Sequence, residues 1–229
     1  MSDWYLKFVE NMMGKAHVVE AMTETPPVVE GLEFKPIITI SRDPGSGGAP
    51  IAEAVAKKLG FEFYDKRLIT EVAKSAKTSR GIIGDIDEKQ RSLIEDFVHN
   101  SLNPEYISEM RYIKHLAKVI LGLNVIGKAV ILGRGSNFMV PAAYALRARI
   151  TAPYRVCVAR AVRYEGVLYS RAREIINKVS AERAAFVKQY CGKDITNPKY
   201  YDLTLNTAYM TIEDAVGVII CAFKRKFPK

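Results

Sequence analysis

Residues 38–60, ITISRDPGSGGAPIAEAVAKKLG, read as a short strand, a glycine-rich turn and a helix. The β-branched run before the turn suits a buried parallel strand. The apolar residues of the helix share one face, and they are Ile51, Ala52, Val55, Ala56 and Leu59. Such a turn points backbone N–H groups outward at the positive end of a helix, where phosphate groups bind without side-chain charge. The stretch predicts either an anion-binding turn or a tight turn that binds nothing.

The rest of the chain alternates between strand and helix patterns. Further strands are predicted at 61–65, 128–133, 146–152 and 201–207. Helices are predicted at 66–76, over most of 85–127 with an interruption near 101–106, and at 154–166, 170–192 and 211–227. Strands that alternate with helices indicate an α/β fold with a parallel sheet covered on both faces.

The first 34 residues differ from this pattern. Six apolar residues fall at helical spacing, namely Trp4, Tyr5, Phe8, Val9, Met12 and Met13. A proline- and glycine-containing linker follows at 22–36. We therefore expect an N-terminal helix and linker over 1–34 and a main domain over 35–229. The helix either docks on its own domain or pairs with a second copy in a homo-oligomer.

Composition narrows the class of protein. The formal net charge is +9, which fits a polyanionic ligand such as a nucleotide or nucleic acid, or simply a soluble basic surface. The basic residues lie on predicted helices rather than in aromatic-interleaved stretches, so nucleic acid is the less favoured partner. The three cysteines form no CxxC pair, and no signal segment or apolar run of about 18 residues occurs, so we expect a cytoplasmic protein with no membrane partner.

The glycine cluster also matches part of the dinucleotide fingerprint GxGxxG. Gly45 and Gly47 fit its first two glycines, and Asp65 lies at about the distance of a ribose-binding acid. The third glycine position is Pro50, whose ring would hinder close packing of the helix on the strand. The fingerprint is therefore the weaker match.

Five segments in order resemble the cytidylate kinase-like family. They are ITISRD with Gly45-Ser46-Gly47-Gly48, FEFYDKRLI, VILGRGSNF, VSAERAAFVKQYCG and YYDLTLNT, so the resemblance covers residues 34–222. It implies a three-layer α/β/α P-loop kinase fold with a helical lid. It also implies phosphoryl transfer from ATP to a nucleoside monophosphate, ATP + CMP giving ADP + CDP, with Mg²⁺. The phosphate-binding residues would be Ser41, Gly45, Ser46, Gly47, Gly48 and Ala49.

The loop departs from the cytidylate kinase pattern at its charged positions. Arg42 stands at the first glycine, Gly48 at the lysine and Pro50 at the hydroxyl residue, while Ala49 replaces the arginine common in the kinase-like family. Three interpretations follow: Arg42 supplies the missing cation, lid arginines supply it, or the chain binds nucleotide without catalysis, as a sensor or scaffold. A metal-binding hydroxyl would have to come from Ser46 or Ser41.

The remaining site residues are an acceptor pair and a set of basic residues on the helices that would form the lid. By resemblance Arg134 contacts the acceptor phosphate; otherwise it is a surface arginine after a strand. Asp65 either lies at the acceptor site or caps the helix after it. The lid carries Arg160, Arg163, Arg171, Arg173 and Arg183. Because phosphoryl transfer needs cations over the moving group, we predict catalytic roles for Arg42, Arg160, Arg163 and Arg183.

Overall fold

Five parallel strands form the centre of the molecule. In the computed structural model, which describes residues 32–65, 67, 69, 86–100 and 109–228, the strands are β1 (Ile37–Arg42), β2 (Glu62–Tyr64), β3 (Ala129–Leu132), β4 (Ala145–Thr151) and β5 (Leu203–Asn206). Their order in the sheet is β2-β3-β1-β4-β5. All four pairings are parallel. The parallel sheet predicted from the alternating pattern is confirmed.

Seven α-helices are seen among the described residues. They are α1 (Gly48–Leu59), α2 (Glu88–Asn100), α3 (Glu109–Ile126), α4 (Ser136–Met139), α5 (Tyr154–Glu165), α6 (Tyr169–Cys191) and α7 (Ile212–Lys226). The predicted N-terminal helix, nearly all of the predicted helix at 66–76 and the interruption near 101–106 lie outside the described residues. None of the described helices is long and apolar enough to cross a membrane.

The helices cover the sheet on both faces. On one face, α1 and α7 pack on Ile38, Ile40 and Ile150. On the other face, α3 packs on Ile37 and Ile131. The central strands are therefore buried on both sides, which accounts for their continuous apolar sequences. The three-layer α/β/α fold is confirmed.

Local signals set the ends of two long helices. Gly60 ends α1 and Gly192 ends α6, each in the left-handed conformation with φ of 65° and 66°. Thr211 begins α7 with a capping box. Its side chain accepts from the Asp214 N–H, and the Asp214 carboxylate accepts from the Thr211 N–H.

The main domain is packed from its first described residues. Leu32 and Phe34 pack against the core beside α3. The Lys35 N–H donates to the Asn124 carbonyl at 2.7 Å, and Asn124 Nδ2 donates to the Lys35 carbonyl at 2.8 Å. The boundary between residues 34 and 35 stays a prediction, since nearly all of the N-terminal segment lies outside the described residues.

Topology decides where a ligand would bind. The chain leaves β1 toward β2 and β3 on one side of the sheet and later adds β4 and β5 on the other side. In open α/β sheets the crevice outside the carboxyl ends of the strands, at such a switch point, holds the ligand. Here that crevice lies at the end of β1, where the glycine-rich turn follows.

Candidate functional site

At the turn between β1 and α1, the first N–H groups of the helix have no side-chain cap. Gly45 and Gly47 are left-handed, with φ of 77° and 81°, a conformation that glycine adopts at little cost. Gly47 is the N-cap of α1 and provides no side-chain bond, and the first turn of this fully described helix contains no acidic residue. The first N–H groups of α1 therefore have no side chain that neutralises them, which suits an external anion.

One side of the turn is anchored to β4. The Asp43 N–H donates to the Ile150 carbonyl at 3.0 Å. The Asp43 carboxylate accepts from Arg149 Nη2 at 2.7 Å and from Thr151 Oγ1 at 2.5 Å. The sequence patterns did not predict this anchor. Its signal was Arg149 itself, because a charged side chain inside an apolar strand requires a buried partner.

The other side of the turn is anchored to α5 and to the end of β5. The Ser46 carbonyl accepts from Thr207 Oγ1 at 2.7 Å and from Arg160 Nη1 at 3.3 Å. Arg160 also donates to Thr207 Oγ1 at 2.9 Å and to the Thr207 carbonyl at 2.6 Å. Arg160 thus links the turn to the residue that follows β5. It also lines the cleft that is described below.

The Arg42 side chain fills the space that a side chain at residue 48 would need. A Cβ built on Gly48 would lie 2.5 Å from Arg42 Cβ and 2.8 Å from Arg42 Cγ. Real Cβ atoms do not approach so closely, so a lysine at 48 and an arginine at 42 exclude each other in this arrangement. The Arg42 guanidinium lies against Gly133, where a Cβ would overlap Nη1.

Three arginines meet at the end of β1. Burial and the positive charges of Arg183 and Arg134 lower the pKa of Arg42 to about 10, against a partial opposing effect of Asp65. Arg183 Nη1 donates to the Arg42 carbonyl at 2.8 Å, and burial lowers its pKa too. Like charges that are partly buried together destabilise one another, so this cluster favours a bound anion.

Arg134 is held in an unusual backbone conformation. Its φ is 57°, in the left-handed region that non-glycine residues seldom adopt. Its Cζ lies 5.4 Å from the centre of the Phe186 ring on α6. Strain of this kind concentrates at binding sites, where the surrounding structure maintains it.

Arg42 and Arg183 each line two neighbouring cavities. A cleft of about 840 Å³, the large cleft, is lined by the turn, the start of α1, Arg160, Tyr164, Thr207 and residues 210–213. A cavity of about 310 Å³, the small cavity, is lined by Ser41, Gly133, Arg134, Asn137 and residues of α6. Arg42 and Arg183 line both. They therefore form the wall between the two.

The structure brings most of the predicted site residues together. Those that line one or both of these cavities are Ser41, Arg42, Gly45, Ser46, Gly47, Gly48, Ala49, Arg134, Arg160 and Arg183. Asp65 lies at the end of β2, and its charge acts on Arg42. Their roles in binding and catalysis stay predictions.

Three lid arginines lie elsewhere. The exposed Arg163 has its Cζ 5.5 Å from the Tyr164 ring and is not among the residues that line these cavities. The exposed Arg171 pairs with Glu174 at 2.9 Å. Arg173 is exposed and interacts with Tyr154. The catalytic role of Arg163 stays a prediction, although nothing here orients its side chain toward a bound phosphate.

The described residues do not form a site for the Mg²⁺ that the sequence resemblance implies. They contain no group of three His, Cys, Asp or Glu side chains that could hold a metal ion. Ser46 Oγ donates to the Asp43 carbonyl at 2.8 Å, and Ala49 and Pro50 carry no hydroxyl. The Asp43 carboxylate is already bound by Arg149 and Thr151. A hydroxyl that donates its hydrogen keeps its lone pairs, so Ser46 Oγ and the ligand's own phosphates would be the groups that hold the ion.

Known proteins resemble this chain in sequence and in fold. The sequence profile described as the cytidylate kinase-like family matches residues 37–209. A cytidylate kinase of Pyrococcus horikoshii is 27% identical over 198 residues, which are 85% of this chain and 91% of that protein. A cytidylate kinase of Ignicoccus hospitalis is 27% identical over 185 residues, 80% of this chain and 96% of that protein.

A solved structure supports the fold. The crystal structure of an uncharacterized protein from Eubacterium ventriosum superposes with a TM-score of 0.65 at 21% identity, covering 83% of this chain and 99% of that chain. At this identity the likeness concerns the fold alone.

Proposed function

The chain belongs to the cytidylate kinase-like family, and from that premise we propose that it transfers the γ-phosphoryl group of ATP to a nucleoside monophosphate, with CMP as the acceptor. The observation that carries the proposal is the exchange of positions in the turn. Arg42 occupies the space next to Gly48 that a lysine side chain would need. We infer that Arg42, whose guanidinium lies against Gly133, provides the cation that is missing from position 48.

In this proposal the donor lies in the large cleft. Its phosphates contact the backbone N–H groups of residues 45–48 at the positive end of α1. The cleft volume of about 840 Å³ leaves room for sugar and base beside Tyr164 and Ile212. Arg160 keeps the turn in its binding shape through Ser46 and Thr207.

The acceptor lies in the small cavity. Arg134 binds the acceptor phosphate through a charge-assisted hydrogen bond, for which guanidinium geometry is well suited. A volume of about 310 Å³ is at the lower end of the usual range for ligand pockets, which favours a pyrimidine nucleotide over a purine nucleotide. Asp65, near Arg42, limits the positive charge at this side.

The transfer takes place at the shared wall. An oxygen of the acceptor phosphate attacks the γ-phosphorus, the bond from that phosphorus to the bridging oxygen breaks, and ADP leaves with the bond's electron pair. Negative charge spreads over the three equatorial oxygens in the transition state. Arg42 and Arg183, which line both cavities, stabilise that charge. With its pKa near 10, Arg42 stays protonated at neutral pH.

A second function is favoured by one observation. Ala49 and Pro50 cannot bind a metal ion through a hydroxyl, and the described residues contain no group of three His, Cys, Asp or Glu side chains that could hold one. A chain with this loop that binds nucleotide but does not turn it over would act as a sensor or scaffold.

Two measurements on the full-length chain separate these functions. ADP release from ATP is followed in a coupled assay with CMP, UMP, AMP and GMP as acceptors, and the melting temperature is measured with each nucleotide. The kinase proposal predicts CMP-dependent ADP release. ATP that raises the melting temperature while turnover stays at background would indicate the sensor or scaffold.

Arginine variants test the acceptor assignment. Arg134→Ala should lower kcat/KM for CMP by about 10²-fold or more, because a preorganised cation is lost. Arg225→Ala is the matched control, since Arg225 is exposed on α7 away from both cavities. Equal activity of the two variants would contradict the acceptor role of Arg134.

A further inference from the structure

The part of the large cleft that would hold the donor's base has its own set of residues. Beyond the turn, the lining is Tyr164 from α5 and Met210, Thr211, Ile212 and Glu213 around the start of α7. We call these five residues the outer wall. A base attached to phosphates in the turn has this wall to contact, so its side chains determine how a base is distinguished.

Two polar side chains of the outer wall, Thr211 and Glu213, already have partners. Thr211 Oγ1 donates to Asp214 Oδ2 at 2.6 Å and accepts from the Asp214 N–H at 3.1 Å. These bonds are the cap of α7, so a base that took them over would destabilise the helix start. Glu213 forms an ion pair with Lys58 of α1.

Two backbone donors of the wall are also engaged. The Thr211 N–H donates to Asp214 Oδ2 at 3.1 Å, and the Met210 N–H donates to the Thr207 carbonyl at 3.4 Å. A base edge would have to displace these bonds to use either N–H group.

What the wall offers instead is exposed apolar surface. Tyr164 is 74% exposed and Ile212 is 47% exposed. Stacking of a base on an aromatic ring is tolerant of the base's identity, because every base has a π-face. Strong discrimination between bases requires polar groups that the wrong base leaves unpaired, and the Thr211 and Glu213 side chains of the wall already have partners within the chain.

We propose that the large cleft recognises its donor by the triphosphate and the flat face of the base, with Tyr164 as the stacking residue, and that it accepts purine and pyrimidine nucleoside triphosphates alike. This inference rests on the proposed function for the location of the donor. It extends that function from ATP to nucleoside triphosphates as a class.

A donor panel tests the inference. With CMP as acceptor, kcat/KM for ATP, GTP, CTP and UTP should agree within about tenfold, since only apolar contacts differ among them. A preference of 100-fold or more for one base would overturn the inference.

Glu213 defines a specific alternative outcome. Its ion pair with Lys58 is exposed and therefore weak. If its carboxylate turned to the base, it would accept from the amino groups of adenine, cytosine and guanine, whereas uracil carries no amino group. ATP, CTP and GTP favoured over UTP, with the preference lost in Glu213→Gln, would show that the wall does distinguish base edges and would overturn the inference.

Substitutions at Tyr164 test the stacking. Tyr164→Ala should raise KM by a similar factor for all four donors, roughly 5- to 100-fold given the usual strength of stacking on an aromatic ring. KM for CMP should stay unchanged, because Tyr164 does not line the small cavity. Tyr164→Phe keeps the ring, so its KM for each donor should lie much closer to the wild-type value than the KM of Tyr164→Ala does. An effect confined to one donor, or an equal effect on KM for CMP, would contradict the stacking role.

A binding measurement separates this inference from the kinase proposal. Non-hydrolysable triphosphate analogues of the four nucleosides should raise the melting temperature of the full chain by similar amounts, and inorganic tripolyphosphate by less. Equal shifts without any turnover would disprove the kinase and keep the inference. Unequal shifts with normal turnover would overturn the inference and support the kinase proposal.

Discussion

The end of β1 and the exposed faces of the lid helices use the same residue type in opposite situations. At the end of β1, Arg42 is partly buried beside Arg183 and Arg134, and its pKa is lowered to about 10. On the lid, Arg163 and Arg171 are exposed against Tyr164 and Glu174. A bound phosphate stabilises a partly desolvated cation that lies beside other cations. It stabilises an exposed cation much less, because water and a neighbouring side chain already interact with that charge. Environment, rather than residue type, separates a binding arginine from a surface arginine.

The strongest test of this comparison exchanges the two positions in the turn. Gly48→Lys alone should disrupt the turn, because the new side chain overlaps Arg42. We expect a loss of about 1–3 kcal/mol of stability from overpacking and a fall in kcat of about 10³-fold as the phosphate site deforms.

The double variant Arg42→Gly with Gly48→Lys is the matched rescue. It restores one cation and one glycine in exchanged places, so it should recover most of the lost stability and activity. Chemical denaturation and the coupled assay measure both. A single Gly48→Lys variant as stable and active as the wild type would show that Arg42 does not occupy this space.

Removing the second shared cation should have the next largest effect. Arg183→Ala should lower kcat by about 10²- to 10³-fold, because a donor preorganised at the wall between the cavities is lost. Arg183→Lys, which keeps a point charge without the planar fork, should recover only part of the activity. If the alanine variant changed KM for ATP and left kcat intact, Arg183 would be a ground-state binding residue and the comparison would need revision.

Arg42→Met tests the cost of the buried charge. Burial and the neighbouring arginines lower the folded pKa of Arg42 to about 10, so the charged form destabilises the fold at neutral pH by roughly 3 kcal/mol at most. The variant should therefore melt several degrees higher than the wild type without ligand, and ATP should no longer raise its melting temperature.

The difference in stability between Arg42→Met and the wild type should depend on pH, because the pKa of Arg42 is lowered in the folded state. As pH rises through 10, folded Arg42 releases its proton while unfolded Arg42 keeps it, so wild-type stability rises relative to the variant. The stability gap between Arg42→Met and wild type should narrow between neutral pH and pH values above about 10. A gap that is constant with pH, or a variant that is less stable than wild type, would show that Arg42 is not under electrostatic strain.

The smallest effect should come from the lid surface. Arg163→Ala should change kcat by less than about twofold and stability by less than about 0.5 kcal/mol, as is usual for exposed substitutions. The same holds for Arg171→Ala, whose exposed pair with Glu174 contributes little. A tenfold fall in kcat for Arg163→Ala would support the catalytic role predicted from the sequence and would mean that the lid moves to bring this residue over the substrate.

Sequence patterns located the site but not its bonds. The strand, turn and helix at 38–60 were predicted because their signals are local: β-branched residues before the turn, glycines within it, and an apolar face after it. The Asp43 anchor was missed because its partners lie more than 100 positions away, at Arg149 and Thr151. Ser46 was a candidate metal ligand, and only the folded turn revealed that its hydroxyl donates to the Asp43 carbonyl.

By itself, the sequence determined the α/β class, the parallel strands and the place of the glycine-rich turn, because hydrophobic periodicity and glycine's backbone freedom act within a few residues. Only the tertiary structure decided which arginines share a wall, and that Arg42 occupies the space beside Gly48. Those relations depend on how β1, the segment after β3 and α6 pack against one another, since steric exclusion and charge repulsion act over a few ångströms in space and leave no mark on the spacing of residues along the chain.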